Sequence, residues 1–175
     1  MIVVLIRHTS VNVPKGTCYG CTDVPVADTF DEEARLTREA LSGMTFDRVF
    51  SSPLSRARLL AQACGYHNPV IDKRLCEMNM GDWEMRRFDD ITDPNLQLWY
   101  EDYLNRPATN GESFRMLYAR VESFLNDLRN EDCRQAAVFA HGGVLLCAGL
   151  YAGIYNESNI FDNLTPYGGL IRIDI

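Results

Sequence analysis

Apolar residues fall in short, separated blocks along this chain, and the spacing inside each block decides the element it predicts. Ile2–Ile6 is an unbroken aliphatic run with the length of a buried strand. Asp47–Phe50 and Ala136–Ala140 are similar blocks, and Leu170–Ile175 closes the series. Between them the period lengthens. "TFDEEARLTREAL" reads as a helix capped by Asp28, with acids in its first turn where the helix dipole favours negative charge. "LSRARLLAQAC" reads as a second helix and Asp93–Tyr103 as a third. The clearest helix follows Gly111, where Phe114, Leu117, Val121, Leu125 and Leu128 recur along one face. "GGVLLCAGLYAGI" predicts the last helix. Ser51–Pro53 and the Pro/Gly-punctuated "VNVPKGTCYGCTDVPVAD" read as loops. Strands alternating with helices predict an α/β fold, a three-layer sandwich whose mostly parallel sheet has helices on both faces. With no repeat, low-complexity segment or linker, residues 1–175 are expected to form one domain.

Composition narrows the function classes. The net charge of −7 disfavours nucleic acid, which needs a basic face, and disfavours an anionic membrane surface equally. The least polar window, Ala136–Tyr155, is long enough to cross a bilayer, but His141 and several glycines break it. It reads as a buried strand followed by a helix. No targeting segment is evident, so a cytoplasmic protein is expected. Cys18 and Cys21 have the spacing of half a zinc or redox site, yet no second pair matches them and they lie in a loop. Reduced thiols without a metal are therefore expected.

Three apolar blocks end in polar residues: "VVLI" in Arg7–His8, "RVF" in "SSPLSR", and "AVFA" in His141–Gly142–Gly143. Open α/β sheets bind ligands outside the carboxyl ends of their strands. Taken singly, His141 also reads as a core histidine and Arg56 as a solvated helix residue. Together, two arginines and two histidines at strand ends suit a phosphoryl group, because guanidinium forks match phosphate oxygens in pairs. Arg7 and Arg56 would also favour neutral His8, leaving a ring nitrogen free to attack phosphorus. No metal-ligand set accompanies them, so no cofactor is expected.

"LIRHT", "VFSSPLSRA", "RLCEMNMGDWE", "NGES" and "FAHGGV", in that order, resemble the histidine phosphatase superfamily, the phosphoglycerate-mutase-like enzymes, from about Ile2 to Leu150. The resemblance implies a metal-independent phosphomonoesterase in which His8 becomes phosphohistidine. Arg7, Arg56 and His141 would hold the transferred phosphate. Glu77 would be the proton donor, with Glu84 the fallback acid. Four departures stand out: Thr9 and Met85 replace usual glycines, Pro14 replaces an asparagine for which Asn12 could substitute, and "VADTFDEEARL" replaces a common "LTxxGxxQA" stretch.

The loop "CYG…TDVP" looks like that of the α-ribazole phosphatase branch, which removes the 5′-phosphate of α-ribazole 5′-phosphate in assembling the lower loop of cobalamin. That likeness implies Tyr19 and Gly20 near the phosphate and Tyr19 or Cys21 at the entrance, while Asn12 is a candidate either for a substrate contact or for a loop cap. The implied partner is a small-molecule phosphate ester, and a homodimer is compatible with it. Other readings are a broad-specificity phosphatase or phosphoglycerate mutase, a protein-phosphohistidine phosphatase, a non-catalytic phosphate-binding module, and a thiol or metal function at Cys18 and Cys21.

Overall fold

Val3, Val4, Leu5 and Ile6 are all buried, because β1 (Ile2–Arg7) runs through the middle of a sheet with helices on each face. A computed structural model describes residues 1–175. The chain continues through α1 (Phe30–Ala40), β2 (Arg48–Ser51), α2 (Ser55–Ala63), β3 (Val70–Ile71), α3 (Asn95–Glu101), α4 (Phe114–Arg129), β4 (Gln135–Ala140), α5 (Gly142–Tyr151) and β5 (Leu170–Asp174). The sheet order is β3-β2-β4-β1-β5, with β5 antiparallel to β1 and the other pairs parallel. Alternate residues separate the layers. Val3, Leu5, Ala136 and Val138 join the core beneath α4 and α5, whereas Val4, Ile6, Ala137 and Phe139 join the one beneath α1 and α2. This is the expected three-layer α/β sandwich.

The helices form for the reasons their sequences suggest, with small shifts at the ends. In α4, Phe114, Leu117, Val121, Leu125 and Leu128 are buried, and the Ser113 hydroxyl accepts from the Met116 N–H. The cap of α1 is Thr29 and not Asp28; the Thr29 hydroxyl donates to Glu33, so the first-turn acid satisfies the cap instead of the reverse. The third helix is shorter than Asp93–Tyr103, since Asp93 accepts from the Asn95 N–H and ends the approach to it. The last helix stops at Tyr151, where Gly153 takes a left-handed φ of 72°. β3 is two residues long and escaped the apolar-block pattern, being exposed at the sheet edge.

Between β3 and α4 the chain makes an excursion whose Met80, Trp83, Ile91, Leu96 and Ala108 form a small core with Cys18 of the loop between β1 and α1. The apolar window Ala136–Tyr155 divides between β4 and α5, and no helix is long and apolar enough to cross a membrane.

Candidate active site

The parallel strands β1, β4 and β2 end at one edge, in register Arg7 with Ala140 and Ser51 with Phe139. The residues that follow are held there by the sheet's last bonds. His8 N–H donates to the Ala140 carbonyl at 3.1 Å, and Ser52 N–H donates to the Phe139 carbonyl at 2.9 Å. His8 and His141 consequently meet, ring centroids 5.2 Å apart, and both are buried.

His8 Nδ1 lies 2.6 Å from the Thr9 carbonyl oxygen. A carbonyl can only accept, so Nδ1 carries the proton and Nε2 keeps its lone pair. Burial, and after it the Arg56 charge, pushes the His8 imidazolium down to about 3. Burial thus outweighs the arginines as the cause of neutrality. His141 is pushed far below its ordinary value by burial and then by Arg56. Its Nε2 is 2.7 Å from the Ser52 hydroxyl.

Arg7 donates to the Thr165 carbonyl at 2.5 Å, and its guanidinium lies over the Tyr167 ring, 4.1 Å from the centroid. Arg56 is fully buried at the start of α2 and donates to the Gly20 and Thr22 carbonyls at 2.6 and 2.9 Å. The loop those carbonyls belong to is fixed from its other side by Glu84. That carboxylate accepts from the N–H groups of Gly20, Cys21, Thr22 and Met80 and from the Thr22 hydroxyl. Asp23 of the same loop accepts from the Ser55 N–H and hydroxyl at the first turn of α2. The bonds to Glu84 hold it below the usual carboxylate range despite its burial. It is a loop anchor, which removes it as a fallback acid.

Glu77 sits across from this group. Its oxygens accept from the N–H groups of Met78 at 2.9 Å and Gly143 at 3.0 Å. A Cβ at Gly143 would come within 2.3 Å of Glu77 Oε1, so glycine there lets the carboxylate sit against the Gly143 N–H without moving. Arg120 of α4 donates to the carbonyls of Arg74, Cys76 and Glu77 and pairs with Glu112 at 2.9 Å, so the glutamate of "NGES" steadies the backbone bearing Glu77.

A cavity of about 260 Å³ opens here, lined by Arg7, His8, Tyr19, Glu77, Gly142 and Gly143 at its polar end. Of the expected site residues, Arg56 and His141 lie buried beside it. Asn12, Gly20 and Cys21 do not line it. Asn12 is exposed, its N–H bonded to the Pro25 carbonyl. Gly20 and Cys21 are turned to Arg56 and Glu84, and a Cβ on Gly20 would meet the Met78 carbonyl at 1.8 Å. The Cys18 and Cys21 thiols are pushed up to about 12 and 11, mainly by burial, which makes them poor nucleophiles. Arg7 Nε, Arg56 Nε and His141 Nδ1 are buried without a hydrogen-bond partner, three nitrogens suited to an anion.

A sequence model of the histidine phosphatase superfamily (branch 1) matches residues 3–174. The chain belongs to this superfamily. Among its relatives is the adenosylcobalamin/alpha-ribazole phosphatase of Salmonella typhimurium, 35% identical over 150 residues that cover 81% of this chain and 74% of that one. This histidine phosphatase is also similar in structure to the alpha-ribazole phosphatase of Shigella flexneri, with a TM-score of 0.88 and 28% identity over 100% of this chain and 91% of the other. A phosphoglycerate mutase from Thermus thermophilus gives 0.78 and 27% over 99% and 93%.

Two departures from the family pattern have a structural outcome in this histidine phosphatase. Met85, where glycine is usual, takes a left-handed φ of 62°. Thr9 adds a buried hydroxyl with no partner beside His8. Thr165, Tyr167 and Arg120 escaped the sequence reading, two because they act through a backbone carbonyl or a ring face. The Tyr167 hydroxyl also lies 2.9 Å from that of Tyr19, which lines the cavity.

Proposed function

We propose that this histidine phosphatase hydrolyses α-ribazole 5′-phosphate through a phosphohistidine on His8, without a metal. The observation that carries the chemistry is the fixed tautomer: Nδ1–H spent on the Thr9 carbonyl and Nε2 unprotonated beside two arginines. In the first step Nε2 bonds to phosphorus as the ester P–O bond breaks. Arg7, Arg56 and His141 bind the equatorial oxygens, where charge collects. The leaving alkoxide takes a proton from Glu77. Glu77, now a carboxylate, then takes a proton from the water that attacks phospho-His8, releasing inorganic phosphate and restoring the imidazole.

The substrate assignment is supported by the alpha-ribazole phosphatases of Salmonella typhimurium and Shigella flexneri, both similar to this chain. Phosphate release would be followed from α-ribazole 5′-phosphate, a nucleoside 5′-monophosphate, 3-phosphoglycerate and nitrophenyl phosphate, in EDTA, with His8→Ala as the blank. A strong preference for the ribazole ester, abolished in the variant, is the expected result. Comparable slow turnover of every ester would overturn the substrate assignment, and full activity of His8→Ala would overturn the covalent mechanism.

A further inference from the structure

Beyond its polar end the cavity has a second chemistry that phosphate transfer does not use. Met78, Met80, Leu117 and Leu146 line its interior, with Phe161 and Leu164 beside them. These last two are 44% and 45% exposed, large apolar side chains left in water on one short segment. Their positions are set by neighbours. The Phe161 ring packs edge-on to Tyr103 at 4.8 Å between centroids and stands 6.1 Å from Phe114. Leu164 reaches the start of α5, where a Cβ on Gly142 would lie 2.8 Å from its Cδ1 and 3.3 Å from Arg7 Cζ. The apolar wall therefore begins next to the guanidinium. A small polar ester such as a bare sugar phosphate would use only the polar end. An ester carrying an apolar ring would cover Phe161 and Leu164 and remove their surface from water.

We propose that Phe161 and Leu164 determine specificity, selecting phosphate monoesters whose organic half ends in an apolar ring. This rests on the phosphatase reading for which end of the substrate faces His8. The polar groups at that end fix orientation for any monoester. Discrimination among monoesters then falls to the apolar half, because its burial differs from ester to ester while the phosphate contacts stay the same.

The test uses phosphonates, which are not turned over, so that binding is read apart from catalysis. Titration calorimetry would compare methylphosphonate with 1-naphthylmethylphosphonate on the wild type, Phe161→Ala, Leu164→Ala and Phe161→Leu. The wild type is expected to bind the naphthyl compound at least about tenfold more tightly, as burial of a ring against an apolar wall gives. Each alanine variant should lose most of that ratio, and Phe161→Leu should keep much of it. Equal affinity for the two phosphonates, no binding of either, or a ratio unchanged in both alanine variants would overturn the proposal. A naphthyl preference carried by these residues, without turnover of α-ribazole 5′-phosphate, would sink the substrate reading and leave this one standing. Turnover without the preference would do the reverse.

Discussion

An imidazole attacks phosphorus only through an unprotonated ring nitrogen, and in this chain two separate features keep that nitrogen free. The Thr9 carbonyl holds the proton on Nδ1, and burial with Arg56 keeps a second proton off Nε2. This has a consequence for stability. The unfolded chain takes up a proton at His8 near the ordinary value of 6.5, the folded one only near 3. The unfolded state thus binds more protons between those values, so stability rises with pH across the window. The His8 contribution is complete above pH 6.5 and is lost as pH falls toward 3. Wild-type protein is expected to lose roughly 3 kcal/mol more than His8→Asn between pH 7 and pH 4. Urea unfolding at each pH would show it, and parallel curves would remove the burial argument. Glu77 carries a different prediction: Glu77→Gln should slow alkyl phosphates about a hundredfold and nitrophenyl phosphate far less, since only a poor leaving group needs the proton. Equal losses on both would assign the acid elsewhere. His8, Arg7 and Glu77 were legible as residue types at strand ends or within a motif. Tyr167 and Thr165 were not, because a ring face and a backbone carbonyl leave no mark in a pattern of residue types.

At the scale of elements, the loop between β1 and α1 is held between opposite charges that never touch. Glu84 takes its N–H groups while Arg56 takes its carbonyls. The peptide units between them pass polarisation from carboxylate to guanidinium and fix where Arg56 points. The sequence placed "GDWE" beside the site but could not say which way its glutamate faced; only the tertiary approach of residues 20–22 decides that. The turn after Glu84 shows the opposite case, a local rule broken. Met85 is half exposed and held at positive φ, a conformation that side chains with a Cβ resist. Met85→Gly should raise stability by about 1 kcal/mol in urea unfolding. A loss would mean that Met85 packing outweighs the backbone strain.

For the whole molecule, β1 and β4 matched their sequence blocks because both are buried on both faces and so have no polar alternation, whereas β5 keeps a one-sided pattern with Arg172 and Asp174 exposed and Ile173 buried. The short edge strand β3 and the 76–112 excursion were beyond that signal. The excursion has only a small core, shared with Cys18, and both tryptophans, Trp83 and Trp99, pack edge-to-face within it at 5.8 Å. Regions with few buried apolar contacts open at lower free energy than central strands. Tryptophan fluorescence in urea is therefore expected to change before far-ultraviolet circular dichroism, which follows the sheet and long helices. Coincident transitions would show that the excursion and the sheet unfold as one unit.

The short stretch from Phe161 to Tyr167 carries two duties at once. Phe161 and Leu164 line the apolar end of the cavity, proposed to take the organic half of the ester, while the Thr165 carbonyl and the Tyr167 ring fasten Arg7 at its polar end, proposed to take the phosphate. Appetite and grip are thereby inherited on a single piece of chain. A lineage that altered this stretch to accept a new ester would retune the arginine in the same event, so that new preferences arrive with changed turnover instead of drifting free of it.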